Sequence, residues 1–307
     1  MVILTGADIE VGVIEESSYG AGGVVGSDTF SALSYSTRIG SISAVQNKGV
    51  LYNLGLRKVS DIVDLQFEGD LEIEGVLVDK KVLQFIDDNP NVVTDSPATG
   101  YTTETYLASS GHVGSYGVLL NGYAGGYAQF KGFVCDEFTL ACRVNEAVEF
   151  RVRGFYKNYE IGEGTGTIEG LTYTDIKTFS DVGITIGGSD VDMVNGFDLS
   201  LRLNSEGMRK LGSKYVEDKV SKNIEVAFSM EIPSGGGSNY ALEKLNNGWN
   251  GDIVIQIGDY SNGTQYNVKV IGAELRNIGE SISATDVIAE RYNFVGKDLE
   301  IEFIHAT

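Results

Sequence analysis

Hydrophobic and polar residues alternate along much of the chain with a period of two, the spacing of a half-buried β-strand. The clearest stretch is Ile62–Val78, in which odd positions from 63 to 73 are mostly apolar and even positions are mostly acidic. Asn223–Ile232 alternates in the same way. Each stretch therefore predicts a strand with one face for a core and one for solvent.

Weaker patterns of the same kind predict the other strands. They are Leu33–Val45, Val118–Leu120, Tyr127–Phe138, Phe150–Ile161, Phe197–Leu203, Ile253–Ile257, Tyr266–Leu275 and Arg291–Ile304. Apolar stripes predict short helices at Lys80–Asp88 and Tyr240–Leu245. The polar segments between them predict long loops at 46–60, 89–115 and 204–219, and a glycine-rich linker at 162–170.

Part of the sequence is repeated within the chain. Leu54–Val63 and Leu211–Val220 are identical at five of ten positions, and the match continues without a gap at a separation of 157 residues. A second match pairs Phe130–Ile161 with Val270–Ile301 at a separation of 140. The difference falls where the first copy has its long loop, and loops accept insertions readily. Two matches in the same order predict one module that was copied and fused.

The sequence therefore predicts a mainly β protein of two tandem modules. Residues 1–165 form the first, with a Gly-rich N-terminal arm and the long loop 89–115, and residues 166–307 form the second. Each is expected to be a β-sandwich or partly closed barrel with one short helix. A length of 307 residues suits two such domains.

Composition narrows the function classes. A formal charge of −20 disfavours nucleic-acid binding, which depends on Lys and Arg at the phosphates. Cys135 and Cys142 fit two reduced, buried thiols better than a disulfide framework. The N-terminus lacks the pattern of a signal peptide, and no apolar run is long enough to span a membrane. We expect a chain that stays in the cytoplasm or is assembled there into something larger.

Residues suited to catalysis are sparse. His112 and His305, the two histidines, have no motif around them. Asp190–Gly196 resembles half a calcium loop but has the wrong spacing, and no phosphate-cradling motif is present. We therefore expect no catalytic residue, no metal and no cofactor, and hence a structural protein.

Two segments carry a family resemblance. A polar loop ending in Leu54-Gly55 and Arg57, followed by the strand Asp64–Ile73, resembles the tail tube proteins of long-tailed phages and archaeal tailed viruses. The opening Glu15–Gly20 is similar to that of their double-module members. The resemblance implies modules that join edge to edge, six to a ring, with the inner strands forming one β-barrel. With two modules per chain, three copies suffice, and the rings stack into a hollow tube.

The acidic strand face is the candidate lining of the lumen, where negative charge would keep passing DNA from adhering. The candidates are Asp64, Glu68, Asp70, Glu72 and Glu74 in the first module and Glu225 and Glu231 in the second. The alternative is a solvated outer face.

The polar loops lie at the position of the family's ring-stacking loops. Their candidate residues are Lys48, Arg57, Lys58, Asp61, Arg209, Lys210, Lys214 and Asp218. Basic loops could contact the acidic rim of the next ring. The alternative is a pair of ordinary mobile loops that serve solubility.

The expected partners are further copies of the chain, other tail components (tape measure, tail terminator, and baseplate or tip) and passing genomic DNA, with no membrane. The expected place is the virion tail, assembled in the host cytoplasm. One alternative is the inner tube of a contractile injection or secretion machine. Another is an adhesive or carbohydrate-binding sandwich, for which Trp249, Tyr240 and Tyr260 are the candidate aromatics.

Overall fold

The computed structural model describes residues 10–306 except 35, 53–58, 95–99, 124, 174, 192, 211–212, 214, 221, 234–249 and 283–287. It is mainly β, with its strands arranged as a sandwich whose sheets do not close into a barrel. The expectation of a mainly β fold, a sandwich or a partly closed barrel, is confirmed, and of the two forms the structure has the sandwich.

The strands of the first half are β1 (Glu10–Glu15), β2 (Thr29–Ala32), β3 (Arg38–Tyr52), β4 (Val59–Val76), β5 (Asn91–Thr94), β6 (Tyr101–Leu107), β7 (Tyr116–Tyr123), β8 (Gly126–Arg143), β9 (Glu149–Tyr156) and β10 (Asn158–Gly162). A 3₁₀ helix, Lys80–Phe85, lies where a short helix was predicted. Its counterpart at 240–245 lies outside the described residues.

The later strands are β11 (Thr167–Glu169), β12 (Val182–Ile186), β13 (Ser189–Asp190), β14 (Gly196–Arg202), β15 (Glu206–Arg209), β16 (Val216–Val220), β17 (Glu225–Pro233), β18 (Asn250–Gly258), β19 (Thr264–Ile282), β20 (Ile288–Gly296) and β21 (Asp298–Ala306). Single 3₁₀ turns lie at Ala108–Ser110, Phe179–Asp181 and Tyr260–Asn262.

All four segments predicted as loops or linker contain strands. β3 and β4 extend into 46–60, β5 and β6 occupy 89–115, β15 and β16 occupy 204–219, and β11 lies in 162–170. The 89–115 prediction was wrong because a high Ser and Thr content is typical of loops, whereas Thr is β-branched and also suits strands. In β6, Thr102, Glu104 and Tyr106 alternate inward, and β6 pairs with β21 of the other half.

Eight antiparallel strands form one continuous surface in the order β3–β4–β9–β8–β14–β17–β20–β19, which we call the long sheet. Shorter outer strands cover it. β2, β1, β7 and β10 lie beside the first part of β8, and β13, β12, β18, β21, β6 and β5 extend from the first part of β19. One cluster of buried apolar side chains fills the space beneath the long sheet and spans both halves.

The two halves pair their strands in the same way. Glu74 lies opposite Arg151 between β4 and β9, and Glu231 lies opposite Arg291 between β17 and β20, at the separations of 157 and 140 found in the sequence. β8 carries a bulge between residues 135 and 137, and β19 carries one between 275 and 277. The domain boundary at residue 165 remains a prediction, since β11 lies beyond it yet pairs with β2.

Matching glycines bend the two longest strands. Gly132 in β8 has φ +70° and Gly272 in β19 has φ +59°, both in the left-handed region. The Gly132 N–H donates to Glu16 Oε1 at 2.8 Å, and the Gly272 N–H donates to Asp252 Oδ1 at 2.9 Å. A carboxylate thus holds each bend, although the two carboxylates come from non-equivalent positions.

Replacing either glycine by alanine should destabilise the fold. A Cβ at Gly132 would lie 2.8 Å from Lys157 Cβ, and one at Gly272 would lie 2.9 Å from Lys297 Cδ. With the strained φ, each change should lower the free energy of unfolding by about 1–3 kcal/mol, measured by urea unfolding. Gly183→Ala is the control, because a Cβ there meets nothing within 4 Å. Equal stability of all three variants would contradict a requirement for glycine at the bends.

A joined strand pair and two open edges as the candidate assembly site

The halves are joined through the middle of the long sheet. Residues 137–143 of β8 pair antiparallel with 196–202 of β14, so no sheet edge is left between the halves. The apolar pairs across this joint are Leu201 with Phe138, Leu199 with Leu140, and Phe197 with Cys142, and all six side chains are buried. Each fully buried apolar side chain of this size contributes about 1.5–3 kcal/mol. We call this strand pair the internal joint.

Both outer strands of the long sheet end without a partner in the described part of the chain. β3 pairs with β4 alone, and the 277–282 end of β19 pairs with β20 alone. Such edges present unpaired backbone N–H and C=O groups, a template for another strand. No proline blocks either edge segment.

The β3 edge is held in position from beneath. The Tyr156 hydroxyl donates to the Ser43 carbonyl at 2.8 Å, reaching it across Gly69. A Cβ at Gly69 would lie 2.3 Å from Tyr156 Cζ, so glycine is required for this crossing.

The predicted lumen residues lie on strands of the long sheet. Asp64, Glu68, Asp70, Glu72 and Glu74 lie on β4, where strand alternation gives Asp70, Glu72 and Glu74 one face, and Glu225 and Glu231 lie on β17. Asp70, Glu72 and Glu74 reach solvent while Leu71 and Ile73 between them are buried. This polar surface is the outward face of the long sheet, away from the apolar core.

Arginines share this face, and sequence reasoning missed them. Glu74 pairs with Arg38 at 2.6 Å and with Arg151 at 3.3 Å, and Arg151 also lies 3.7 Å from Glu72. Ser43 donates to Asp70 at 3.0 Å. The acidic row is therefore a mixed-charge surface. The alternation Glu149-Phe150-Arg151-Val152-Arg153 was the available signal.

The second half has a corresponding arginine cluster. Asp198 on β14 accepts from Arg143 at 2.7 Å and from Arg291 at 2.9 Å, so one carboxylate binds two guanidinium groups. Arg202 lies 3.6 Å from Glu137 on β8. Because Arg143 and Glu137 belong to β8, ion pairs cross the internal joint on the polar face while apolar pairs cross it on the core face.

The predicted stacking residues separate into two groups. Lys48 and Asp61 lie on the paired strands β3 and β4, opposite Asp64 and Leu51. Arg209 and Asp218 lie on β15 and β16, and Lys210 is exposed just after β15. Arg57, Lys58 and Lys214 lie outside the described residues.

The β15–β16 hairpin packs against the first half of its own chain. Arg209 donates from Nη1 to the Phe67 carbonyl at 3.1 Å, and the Phe67 and Tyr215 rings lie 5.9 Å apart. Lys157 Nζ lies 3.8 Å from Glu217 Oε2. Lys219 Nζ donates to the Val113 carbonyl, and burial lowers the pKa of this lysine. These contacts tie the described part of the hairpin to the first half, and the choice between a stacking role and a solubility role for it remains a prediction.

The described residues contain no group of three or more His, Cys, Asp or Glu side chains arranged to hold a metal. His112 is exposed and lies 3.7 Å from Asp87, and His305 lies 3.5 Å from Glu104. Burial raises the pKa of the Cys142 thiol to about 11 and also raises that of Cys135, which keeps both in the unreactive thiol form.

Comparison with known proteins found no family model and no curated protein that matches the chain. Within the described part of the chain, none of the helices has the length and apolar character needed to cross a membrane.

Truncating the internal joint should expose Cys142. Phe197 lies opposite Cys142, so Phe197→Ala should lower the free energy of unfolding by about 3–5 kcal/mol. It should also speed labelling of Cys142 by a thiol reagent at pH 8, read by mass spectrometry. Val144→Ala, at an exposed position beside the joint, is the control and should change neither quantity. Wild-type labelling and stability in Phe197→Ala would contradict this role.

Proposed function

We propose that the chain is the building block of a viral tail tube, with three copies closing a ring and rings stacking into a hollow conduit for DNA. The observation that carries this is the internal joint beside two open edges. The chain already joins its two halves through β8 and β14, and in its described part it leaves one open edge at β3 and another at the 277–282 end of β19. The number of modules per ring, and the other tail components as partners, come from the family resemblance.

The orientation of the long sheet in such a ring follows from its two faces. One face packs on the buried apolar cluster, and the other carries the ion-paired acids and arginines. The outer strands cover the apolar face, so a closed barrel would turn the polar face toward the lumen. Asp70, Glu72, Glu74 and Asp198 are therefore our candidate lumen residues.

The ion pairs suit a surface over which DNA passes. Free arginines would bind phosphates, but Arg143, Arg151 and Arg291 are held by neighbouring carboxylates. The lumen surface would thus present carboxylates that repel DNA phosphates, and arginines that are already paired with carboxylates, so that DNA passes without adhering.

The adhesive alternative has less support. Its candidate Tyr260 packs its ring against Tyr101 at 4.8 Å within the chain, and Tyr240 and Trp249 lie outside the described residues.

The assembly itself is directly testable. We expect concentrated purified protein to form rings with a central hole, or tubes, in negative-stain electron micrographs. Mass photometry should show a species of three times the 33.0 kDa chain. A chain that remains monomeric at every concentration and salt condition would refute the proposal.

Releasing the arginines should create DNA adhesion. Asp198→Asn removes the charge that holds Arg143 and Arg291, so affinity for double-stranded DNA at low salt should rise about tenfold and fall again with added salt. Fluorescence anisotropy with a labelled duplex measures this. Asp190→Asn makes the same charge change at an exposed position on β13. Equal DNA binding by the two variants would count against the shielding role.

A further inference from the structure

We infer that β3 of one copy pairs antiparallel with the end of β19 of the next copy, in the register of the internal joint. Residues 41–45 would lie opposite 281–277, with Ser43 facing Gly279. The partner is thus a second copy of this chain, joined head to tail. The inference deepens the proposed function and rests on it only for closure into a ring, because the same joint could build an open oligomer.

The register follows from the repeated strand pairing. Leu71 pairs with Ile42 in the first half, and its counterpart Phe228 pairs with Leu199 in the second, so β3 matches β14 at a separation of 157 from residue 41 onward. β8 matches β19 at a separation of 140, bulge included. Transferring the observed pair Ser200–Thr139 by these separations gives Ser43–Gly279.

Exposure at the two edges supports the same partner. Ile42 is 41% exposed, whereas its counterpart Leu199 in the internal joint is 1% exposed. Ile278 is 43% exposed, whereas its counterpart Phe138 is fully buried. Ile42 lies beside buried Leu71 and Ile278 beside buried Tyr292. At both edges, therefore, apolar side chains are exposed whose counterparts are buried in the internal joint.

The edges are also compatible in shape. A bulge in β3 between residues 39 and 41 ends the regular pairing just outside the proposed segment. On the polar face, Ser43 would meet Gly279, whose Cβ position has nothing within 4 Å. Neither residue brings a large or charged side chain into this pair.

A mixed cross-linking experiment tests the register. Chains carrying Ser43→Cys are mixed with chains carrying Gly279→Cys and exposed to a mild oxidant. Directly opposed residues are within disulfide reach, so a cross-linked dimer should form in the mixture and in neither variant alone. The native thiols are buried and serve as internal controls.

The matched control is a mixture of Ser43→Cys with Asn277→Cys, one side-chain repeat away along β19. Diagonal neighbours lie beyond disulfide reach, so its dimer yield should stay at background. A higher yield for the 277 pair than for the 279 pair would overturn the register.

Complementation tests the two strand edges that form the proposed joint. Ile42→Asp blocks the β3 edge and Ile278→Asp blocks the β19 edge, and both side chains are already exposed, so each variant should fold. Alone, each should be monomeric by mass photometry. Mixed, they should form a dimer and nothing longer, because each supplies the edge that the other lacks. Normal oligomers from either variant alone would overturn the joint.

The two proposals fail separately. Cross-linked oligomers that never close into rings would retain the joint and refute the tube. Rings without the 43–279 cross-link would retain the tube and refute the register. A cross-linked dimer formed by Ser43→Cys alone, or by Gly279→Cys alone, would indicate a symmetric joint and overturn the head-to-tail joint.

Discussion

Backbone hydrogen bonding at the edges of the long sheet is the constraint on which the rest of this structure depends. A strand ladder satisfies its N–H and C=O groups only between neighbours, so an open antiparallel sheet always leaves two edges. Between the halves, the pairing of β8 with β14 leaves no open edge. Apolar contacts on one face of the sheet and ion pairs on the other stabilise this strand pair. Within the described residues the open segments are 41–45 of β3 and 277–282 of β19, and these segments contain no proline or lysine.

The sequence predicted the strands best where burial imposes a period of two. Val63 to Ile73 alternates because one face of β4 meets the core, and the paired registers match both separations found in the repeat. Prediction from the sequence failed for strands that are polar on both faces or that are anchored by residues distant in sequence. The β15–β16 hairpin is such a case, since Phe67 and Lys157, far away in sequence, hold it.

The candidate site was predicted in part. Alternation placed Asp70, Glu72 and Glu74 on one face, because strand geometry alone fixes that. It could not show that Arg38 and Arg151 neutralise them, because cross-strand neighbours depend on register. Nor could it show that Ile42 and Ile278 are exposed, since both sit at positions that read as core. Their exposure results from missing neighbours, which no local pattern encodes.

The two halves are equivalent in the long sheet and different outside it. In the first half, the segment 89–115 contains β5 and β6, and β6 pairs with β21 of the second half. The strand of the first half that matches β21 is β10, which pairs with β8 alone in the described residues. β21 runs from 298 to 306, whereas β10 ends at 162. The predicted fusion of two modules is compatible with this difference, because each position occurs once per chain. In the proposed joint the edges of the long sheet must fit one another, whereas the outer strands take no part in that fit and can diverge.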